Sequence, residues 1–183
     1  MATPIENIRK ERVRKLEELK TMGVNPYPAV ANRTHQNQEI LDKFDSLEKS
    51  KEKVSIVGRV MSLRRHGGMA FMDLQDATAK IQVFISKKDV GENKFNEFKL
   101  YDVGDFAKAS GVVFETKAGE RTIKAESFKL LTKSIHPIPD EHFGIKDEEK
   151  RYRLRYLDLL LNPELRELFR KKAKFWEVIR NFM

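Results

Sequence analysis

Residues 54–85 read VSIVGRVMSLRRHGGMAFMDLQDATAKIQVFI, and their pattern indicates the architecture of the chain. Apolar and polar residues alternate along it in three runs, which predicts three β-strands that each bury one face. In the second run the residues of one parity are all apolar, namely Ala70, Met72 and Leu74. The opposite parity places Phe71 and Asp73 on the outer face of the predicted sheet.

The third run repeats this division between an apolar face and a polar face. Its inner residues are Ile81, Val83 and Ile85, and its outer residues are Lys80, Gln82 and Phe84. An aromatic ring among polar side chains is suited to stacking on a nucleobase, because every base has a π-face. The alternative is that a neighbouring helix or domain covers Phe71 and Phe84, since scattered exposed apolar residues are common.

The segments that follow complete a five-stranded pattern. Residues 93–101 predict a short helix with an apolar face, and residues 106–116 and 120–131 predict a hairpin around Lys117-Ala118-Gly119. Three strands, a helix and two strands is the order of an OB-fold, a Greek-key barrel whose ligand face is built on its second and third strands. The predicted fold class is therefore mainly β: a five-stranded OB-fold barrel with N-terminal helices and a C-terminal helical connector.

Composition agrees with a polyanionic partner. The 183 residues include 36 Lys and Arg against 28 Asp and Glu, a net charge of +8 with a sequence pI near 9.6. Lysines that merely solubilise a surface are the alternative. Cysteine is absent, so we expect no disulfide and no thiolate metal site, as in a reducing compartment. The sequence predicts no membrane span and no signal peptide, and we expect a cytoplasmic protein.

The N-terminal residues predict a helix from Ile5 to Met22, which ends before Gly23. Four apolar residues recur along it at helical spacing: Ile5, Ile8, Leu16 and Leu19. Its other face carries the basic residues Arg9, Lys10, Arg12, Arg14 and Lys15. This face is either solvated, which is the commoner case, or it contacts phosphates through Arg9, Arg12 and Lys15. A second short helix is predicted over residues 38–44.

The C-terminal residues have a different character. His136-Pro137-Ile138-Pro139 predicts an extended connector, because proline fixes its own φ and restricts the residue before it. We therefore expect an N-terminal extension over residues 1–50, the barrel over 51–135, and a hinge with the start of another region over 136–183. Residues 147–161 predict one helix, and Asn162 begins another as its N-cap.

The last predicted helix carries more apolar residues than the rest of the chain can cover. Its apolar residues include Leu165, Leu168, Phe169, Trp176 and Ile179. So short a chain offers little surface to bury this stripe, so we expect it to be exposed. A sequence cut where another domain begins would explain the stripe, and an independent dimerisation helix is the alternative.

Catalytic patterns are missing from the sequence. Gly67-Gly68 does not form a phosphate-cradling loop, and no serine lies in a nucleophile elbow. The histidines, His35, His66, His136 and His142, lack the spacing of a zinc site. We find no carboxylate pair suited to acid–base catalysis. The chain is therefore expected to catalyse nothing by itself and to hold no metal.

Several segments resemble class II lysyl-tRNA synthetases. They are GVNPYP (23–28), RVMSLRRHGGMAFMDLQD (59–76), KIQVFI (80–85), LLTKSIHPIPD (130–140) and RYRLRYLDLL (151–160). The barrel pattern is shared with aspartyl- and asparaginyl-tRNA synthetases, whereas the last two segments are typical of the lysine enzyme. The resemblance implies an OB-fold that grips the anticodon of the tRNA for lysine. It also implies a catalytic and dimer-interface region that uses ATP and magnesium, beginning in residues 136–183.

The resemblance also implies site residues. Arg64 matches the arginine at the end of the first strand, with Arg65 as a possible substitute, and Phe71 matches the aromatic that stacks on the central anticodon uridine. Gln82 matches the glutamine that reads the edge of that base, and Glu120 matches a glutamate at the start of the fifth strand. For Glu120 a solvated hairpin carboxylate is the alternative. For the whole chain the alternatives are a non-enzymatic single-strand-binding OB module and an adaptor that contacts an acidic protein.

Overall fold

The computed structural model describes residues 3–139, 145 and 147–183. Within them the chain divides into two units, Met1–Pro137 and Ile138–Met183. The helices of the first unit are α1 (Pro4–Thr21), α2 (Asn37–Asp42), α3 (Phe44–Ser50), α4 (Lys87–Val90) and α5 (Glu92–Phe98). Its strands are β1 (Val54–His66), β2 (Met69–Gln75), β3 (Lys80–Ser86), β4 (Phe106–Glu115) and β5 (Arg121–Thr132).

The five strands form a closed barrel in the order β1-β2-β3-β5-β4. Only β3 and β5 pair in parallel, and the other neighbours in the barrel are antiparallel. The predicted OB-fold is thus confirmed, as is the hairpin at 117–119, where Gly119 has a φ of +78°. Gly111 lies at an irregularity between β4 and β5, where an added Cβ would stand 1.9 Å from the Lys124 carbonyl oxygen. Only glycine permits that close approach of the two strands.

The alternation of the strands divides the barrel into an inside and an outside as predicted. Ala70, Met72 and Leu74 are fully buried, and the inner residues of β3 are at most 2% exposed. Phe95 and Phe98 of α5 pack into the same core. The first residues after β3 form the short helix α4, which Ser86 caps by accepting from the Lys88 amide.

Helix α1 packs on the barrel through the C-terminal half of the face that its apolar spacing predicted, and Arg12 lies on that face as well. Ile5 and Ile8 are exposed by 62% and 43%, whereas Arg12 and Leu19 are buried. The guanidinium of Arg12 donates to the carbonyl oxygens of Val103, Ser134 and His136 at 2.9–3.2 Å. Those carbonyls offer charge-assisted hydrogen bonds that a leucine cannot make, so the arginine faces inward.

A buried lysine organises the adjoining end of the barrel. The ammonium of Lys133 is fully buried and donates to Asp102, Asp105 and the Leu100 carbonyl at 2.6–2.8 Å. Burial raises the pKa of the Asp105 carboxyl even beside this ammonium. Burial opposes the ionisation of Asp102 as well, but hydrogen bonds from Lys133 and Lys15 lower the pKa of that carboxyl overall. A buried charge is tolerated here because it is paired and hydrogen-bonded.

The segment after α1 also differs in detail from its prediction. The single helix expected over residues 38–44 is two helices, since α2 ends at Asp42 and α3 continues from Phe44 to Ser50. Phe44 and Leu47 are buried in the barrel core, which extends helical structure beyond the predicted boundary.

The second unit contains α6 (Glu148–Arg153), α7 (Arg155–Leu161) and α8 (Pro163–Phe182). The prediction of a single helix over residues 147–161 is therefore wrong, because the helical structure is interrupted at Leu154, between α6 and α7. Asn162 caps α8 as predicted, accepting from the Leu165 amide at 3.0 Å. Leu168, Phe169 and Trp176 are exposed as expected, although Leu165 and Ile179 are partly buried. In the described part of the chain, no helix is long and apolar enough to cross a membrane.

Candidate nucleic-acid interface

Three aromatic rings lie side by side on the outside of the barrel. β2 and β3 place Phe71 directly opposite Phe84, with ring centroids 5.2 Å apart. Phe114 of β4 meets Phe84 at 6.1 Å in an edge-to-face arrangement. All three are only partly buried, so no neighbouring element of the first unit covers them completely. We call Phe71, Phe84 and Phe114 the aromatic strip, and its open faces can stack on bases.

Arg64 borders the strip at Phe71. The two residues are directly opposite each other in the β1–β2 pair, and the guanidinium carbon lies 5.9 Å from the ring centroid. The Arg64 side chain is 60% exposed, and its contact with Asp73 is long, at 3.8 Å. Its donors are therefore available to a ligand.

Arg65 points to another part of the barrel. Its guanidinium donates to the carbonyl oxygens of Tyr101 at 2.7 Å and Phe98 at 3.3 Å. It also lies 5.4 Å from the centroid of the Phe98 ring, and burial lowers the pKa of Arg65. Arg65 therefore binds the segment between α5 and β4 and helps to hold it in place.

Gln82 is on the outer face of β3 as predicted, but it is buried there rather than exposed, with 5% of its surface accessible. Its Nε2 donates to a Glu120 carboxylate oxygen at 2.7 Å, and its Oε1 accepts from the Thr122 hydroxyl at 2.9 Å. Thr122, its neighbour in the β3–β5 pair, is fully buried. The two are covered because polar side chains from β5 hydrogen-bond across the parallel β3–β5 pair.

Glu120 lies one residue before β5, which begins at Arg121 rather than at residue 120. The side chain is exposed, and one carboxylate oxygen is held by Gln82. The Glu120 amide donates to the Thr116 hydroxyl, which fixes this residue within the hairpin. The structure therefore brings Glu120, Gln82 and the aromatic strip together at one place on the barrel.

The three predicted phosphate contacts on α1 lie in different environments. Arg9 is exposed, but Arg12 is buried against backbone carbonyls, so its expected place on the solvated face is wrong. Lys15 forms an ion pair with Asp102 at 2.6 Å, and both side chains are mostly buried. The two carboxylates of Asp102 and Asp105 share the ammonium of Lys133, so Lys15 supplies the second positive charge that neutralises them.

Phe114 and Thr122 were missed as contributors to this site. Phe114 has the same outward parity in β4 as Lys108 and Ser110, so the alternation that singled out Phe71 could have found it. Thr122 carries no signal of its own, because its role follows from the pairing of β3 with β5 across 40 residues of sequence.

A second concave surface contains none of the predicted site residues. It is a groove of about 720 Å³ between the end of α1, α5 and the β4–β5 pair, where Lys108 and Lys129 lie directly opposite each other. Within the described ranges, no group of three or more His, Asp or Glu side chains could hold a metal ion. His142 lies outside the described residues.

The fold and the aromatic strip define a nucleic-acid-binding OB domain, and residues 54–131 match the family of that description, the OB-fold nucleic acid binding domain. The chain is 43% identical over 175 residues to the lysine–tRNA ligase of Clostridium novyi, which covers 95% of this chain and 34% of that protein. It is also 43% identical over 175 residues to the lysine–tRNA ligase of Methanoculleus marisnigri, covering 94% and 34%. For the lysine–tRNA ligase of Pelotomaculum thermopropionicum the identity is 41% over 179 residues, covering 98% and 35%.

These similarities run along almost the whole chain, through both units. Together with the OB-fold match, they show that the chain is similar to lysine–tRNA ligases and contains a region similar to the OB-fold nucleic acid binding domain. The chain spans about a third of the length of the curated relatives that it matches.

Proposed function

We propose that this chain is the N-terminal region of a lysine–tRNA ligase and that it recognises the anticodon of the tRNA for lysine. One observation carries the proposal: an open aromatic ring, Phe71, lies beside the hydrogen-bonding pair of Gln82 and Glu120 on the outer face of an OB-fold barrel. Stacking supplies affinity for any base, and directional hydrogen bonds next to it supply selection of one base.

Each residue has a distinct part in this proposal. Phe71 stacks on the central uridine, and Arg64 donates to a neighbouring phosphate or base carbonyl. The choice of Arg64 over Arg65 is supported by the hydrogen bonds that hold Arg65 against Phe98 and Tyr101. Gln82 and Glu120 face the pairing edge of the uridine. Arg9 remains a candidate phosphate contact on α1, whereas Arg12 and Lys15 would first have to release their internal partners.

The parent enzyme in this proposal is a class II aminoacyl-tRNA synthetase. It attaches lysine to its tRNA with ATP and magnesium, acts as a homodimer and works in the cytoplasm. The catalytic residues would lie in parts of the ligase outside this sequence, so this chain supplies recognition alone. In that scheme residues 1–50 are an N-terminal extension, 51–135 the anticodon-binding domain, and 136–183 a hinge and the start of the catalytic and dimer-interface region.

A non-enzymatic single-strand-binding OB module is the second candidate, because the aromatic strip alone would stack on any base. Selection at the central anticodon position separates the two. The measurement is the affinity of the chain for a lysine-tRNA anticodon stem-loop and for the same loop with the central uridine replaced by cytidine.

Cytidine reverses the hydrogen-bonding character of the pairing edge at two positions, so Gln82 and Glu120 would face mismatched groups. By analogy with a bidentate base contact, we expect binding to weaken by about 1–3 kcal/mol. Equal affinity for the two loops would favour the general single-strand-binding module, and no binding to either loop would leave an adaptor for an acidic protein as the better account.

A further inference from the structure

Asp73, on the outer face of β2, carries a carboxylate whose hydrogen-bonding capacity is not fully used. Its side chain is only 14% exposed, and its Oδ1 is buried without a hydrogen-bond partner among the described residues. Burying a carboxylate costs free energy unless the charge is paired and hydrogen-bonded. The Asp73 carboxylate therefore calls for a donor that its surroundings do not yet supply.

The cation beside this carboxylate is Arg64, whose Nη2 lies 3.8 Å from the same oxygen. That separation permits an ion pair but is too long for a hydrogen bond. Arg64 is directly opposite Phe71 in the β1–β2 pair, and Asp73 is two residues further along β2, so the two charges are diagonal neighbours. The guanidinium carbon also lies 5.9 Å from the centroid of the Phe71 ring. Arg64 thus approaches both the stacking ring and the carboxylate.

A carboxylate on this face is by itself unfavourable for binding RNA, because its charge repels the phosphates. It can favour binding through a cation that it orients. A guanidinium has five N–H donors arranged around a plane, so a carboxylate can hold one edge while the other donors face a ligand. A base stacked on Phe71 would exclude water from the Arg64–Asp73 pair, and the lower local dielectric would strengthen the attraction between the two charges.

We propose that Asp73 is a positioning residue for RNA binding: its carboxylate draws one edge of the Arg64 guanidinium toward β2 and directs the remaining donors to a base or phosphate next to Phe71. The inference rests on the proposed anticodon function. Arg64 is 60% exposed and so has room to move toward the carboxylate. In the complex the contact between the two side chains shortens to a hydrogen bond, which satisfies the buried oxygen, and Asp73 does not itself contact the RNA.

The test is a double-mutant cycle built from Arg64→Gln and Asp73→Asn, the second of which keeps the shape of the side chain and removes its charge. Dissociation constants of the 183-residue chain and its variants are measured for the lysine-tRNA anticodon stem-loop at one salt concentration. We expect Asp73→Asn to weaken binding by about 3- to 10-fold when Arg64 is present, the effect of about one hydrogen bond. When Arg64 has been replaced, the same change should leave the affinity unchanged or raise it, since no cation remains to be oriented.

Glu126→Gln is the matched control, because Glu126 is a carboxylate of the same barrel that pairs with an exposed lysine, Lys53, at 2.7 Å. This change removes the same charge and should not weaken binding. Repulsion alone predicts that Asp73→Asn tightens binding, so the sign of the change separates positioning from a charge effect. Thermal unfolding of each variant establishes that it is folded.

If the unmodified chain does not bind the stem-loop, the proposed function fails, and the inference fails with it. If the unmodified chain binds and Asp73→Asn binds as well or better, only the role of Asp73 is overturned. An equal loss with and without Arg64 also overturns it, because Asp73 would then contact the RNA directly. If Asp73→Asn does not fold, Arg64→Lys replaces it: lysine keeps the charge, but its compact ammonium lacks the separate edges of a guanidinium. Affinity equal to that of the unmodified chain in that variant contradicts the inference.

Discussion

Phe71 is a surface residue whose side chain is held in place by its neighbours. Its ring touches Phe84 on one side and approaches Arg64 on the other, yet the residue is only partly buried. A ring that is packed along its edge keeps its rotamer while one face stays open. A base that stacks on such a ring therefore gains contact area without having to order the side chain first.

Replacing Phe71 by alanine removes this platform. We expect Phe71→Ala to weaken binding of the lysine-tRNA anticodon stem-loop by about 1–3 kcal/mol, with a small change in melting temperature, because the ring contributes little to the core. Titration with labelled RNA and thermal unfolding check the two parts.

The barrel offers a matched control for this change in Phe106. This residue is also a partly buried phenylalanine under an arginine, with the Arg59 guanidinium 4.3 Å from its ring centroid. It pairs with β1 at Arg59, about 17 Å along that strand from Arg64. Phe106→Ala should leave RNA affinity unchanged. Equal losses of affinity in the two variants would contradict the assignment of Phe71 as the stacking ring.

At this scale, sequence alternation predicted which face a residue occupies but not how deeply it lies there. Phe71 and Gln82 have the same outward parity, yet Phe71 stays partly open and Gln82 is buried. The difference comes from partners distant in sequence: Glu120 lies 38 residues from Gln82 and reaches it only after β5 has paired with β3. No local pattern contains that information.

Among the secondary-structure elements, the turn between β2 and β3 is joined to α2 by one carboxylate. Asp76 accepts from the Thr78 amide and hydroxyl, the Ala79 amide and, on its other oxygen, the Asn37 amide at the start of α2. Burial alone would raise the pKa of Asp76, but these hydrogen bonds lower it overall. The folded pKa therefore lies below the unfolded one, so the ionised carboxylate stabilises the fold above the ordinary Asp range.

We expect Asp76→Asn to lower the free energy of unfolding by about 1–3 kcal/mol at neutral pH, since an amide cannot accept all of these bonds. The stabilisation by Asp76 is complete above its unfolded pKa, about 3.9, and is lost as the pH falls through the lower folded value. The difference in the free energy of unfolding between Asp76→Asn and the unmodified chain should therefore disappear in acid. Denaturant unfolding at several pH values measures it.

Asp45→Asn is the control, because the Asp45 side chain is 82% exposed and lies 4.0 Å from Arg121. It should have almost no effect at any pH. A gap between Asp76→Asn and the unmodified chain that stayed constant with pH would show that the carboxylate charge at Asp76 is not what stabilises this junction.

Helix positions were less predictable than strand positions. Burial alternates strictly in β2, and the apolar parity of β3 is buried throughout, because one face of each strand meets the barrel interior. In α1 the apolar spacing predicted the buried Leu19, but not the burial of Arg12 on the same face or the exposure of Ile8. A buried arginine is satisfied only by carbonyl groups of the folded structure, which a helical pattern in the sequence does not reveal.

For the whole molecule, net charge matters less than the number of cations without an internal partner. Of the basic residues on α1, Arg14 pairs with Glu11 and Glu18, and Lys20 pairs with Glu17. Arg9 and Lys10 are exposed and have no ion pair among the described residues. These two side chains are thus free to replace counterions on a nucleic acid.

Binding of full-length tRNA should weaken as salt rises, with a log–log slope of roughly −0.7 for each single-strand phosphate contacted. If Arg9 and Lys10 each contact a phosphate, replacing both by glutamine should flatten the slope by about 1.4 and leave the preference for the central uridine intact. Affinity measured over a series of salt concentrations checks this.

The double replacement of Arg14 and Lys20 by glutamine removes the same charge from the same helix, but at positions already paired with glutamates. Its slope should stay close to that of the unmodified chain. Equal flattening in the two double variants would mean that α1 acts through the overall charge and not through contacts with the tRNA.

The three carbonyl groups held by Arg12 also set an order of events during translation. Arg12 is synthesised before its partner His136, which is 124 positions later in the chain. At roughly 5–20 residues per second, the arginine waits about 6–25 seconds for that carbonyl to be made. Through this interval Arg12 lacks the Ser134 and His136 carbonyls, so its complete set of hydrogen bonds can form only after the last barrel strand has been synthesised.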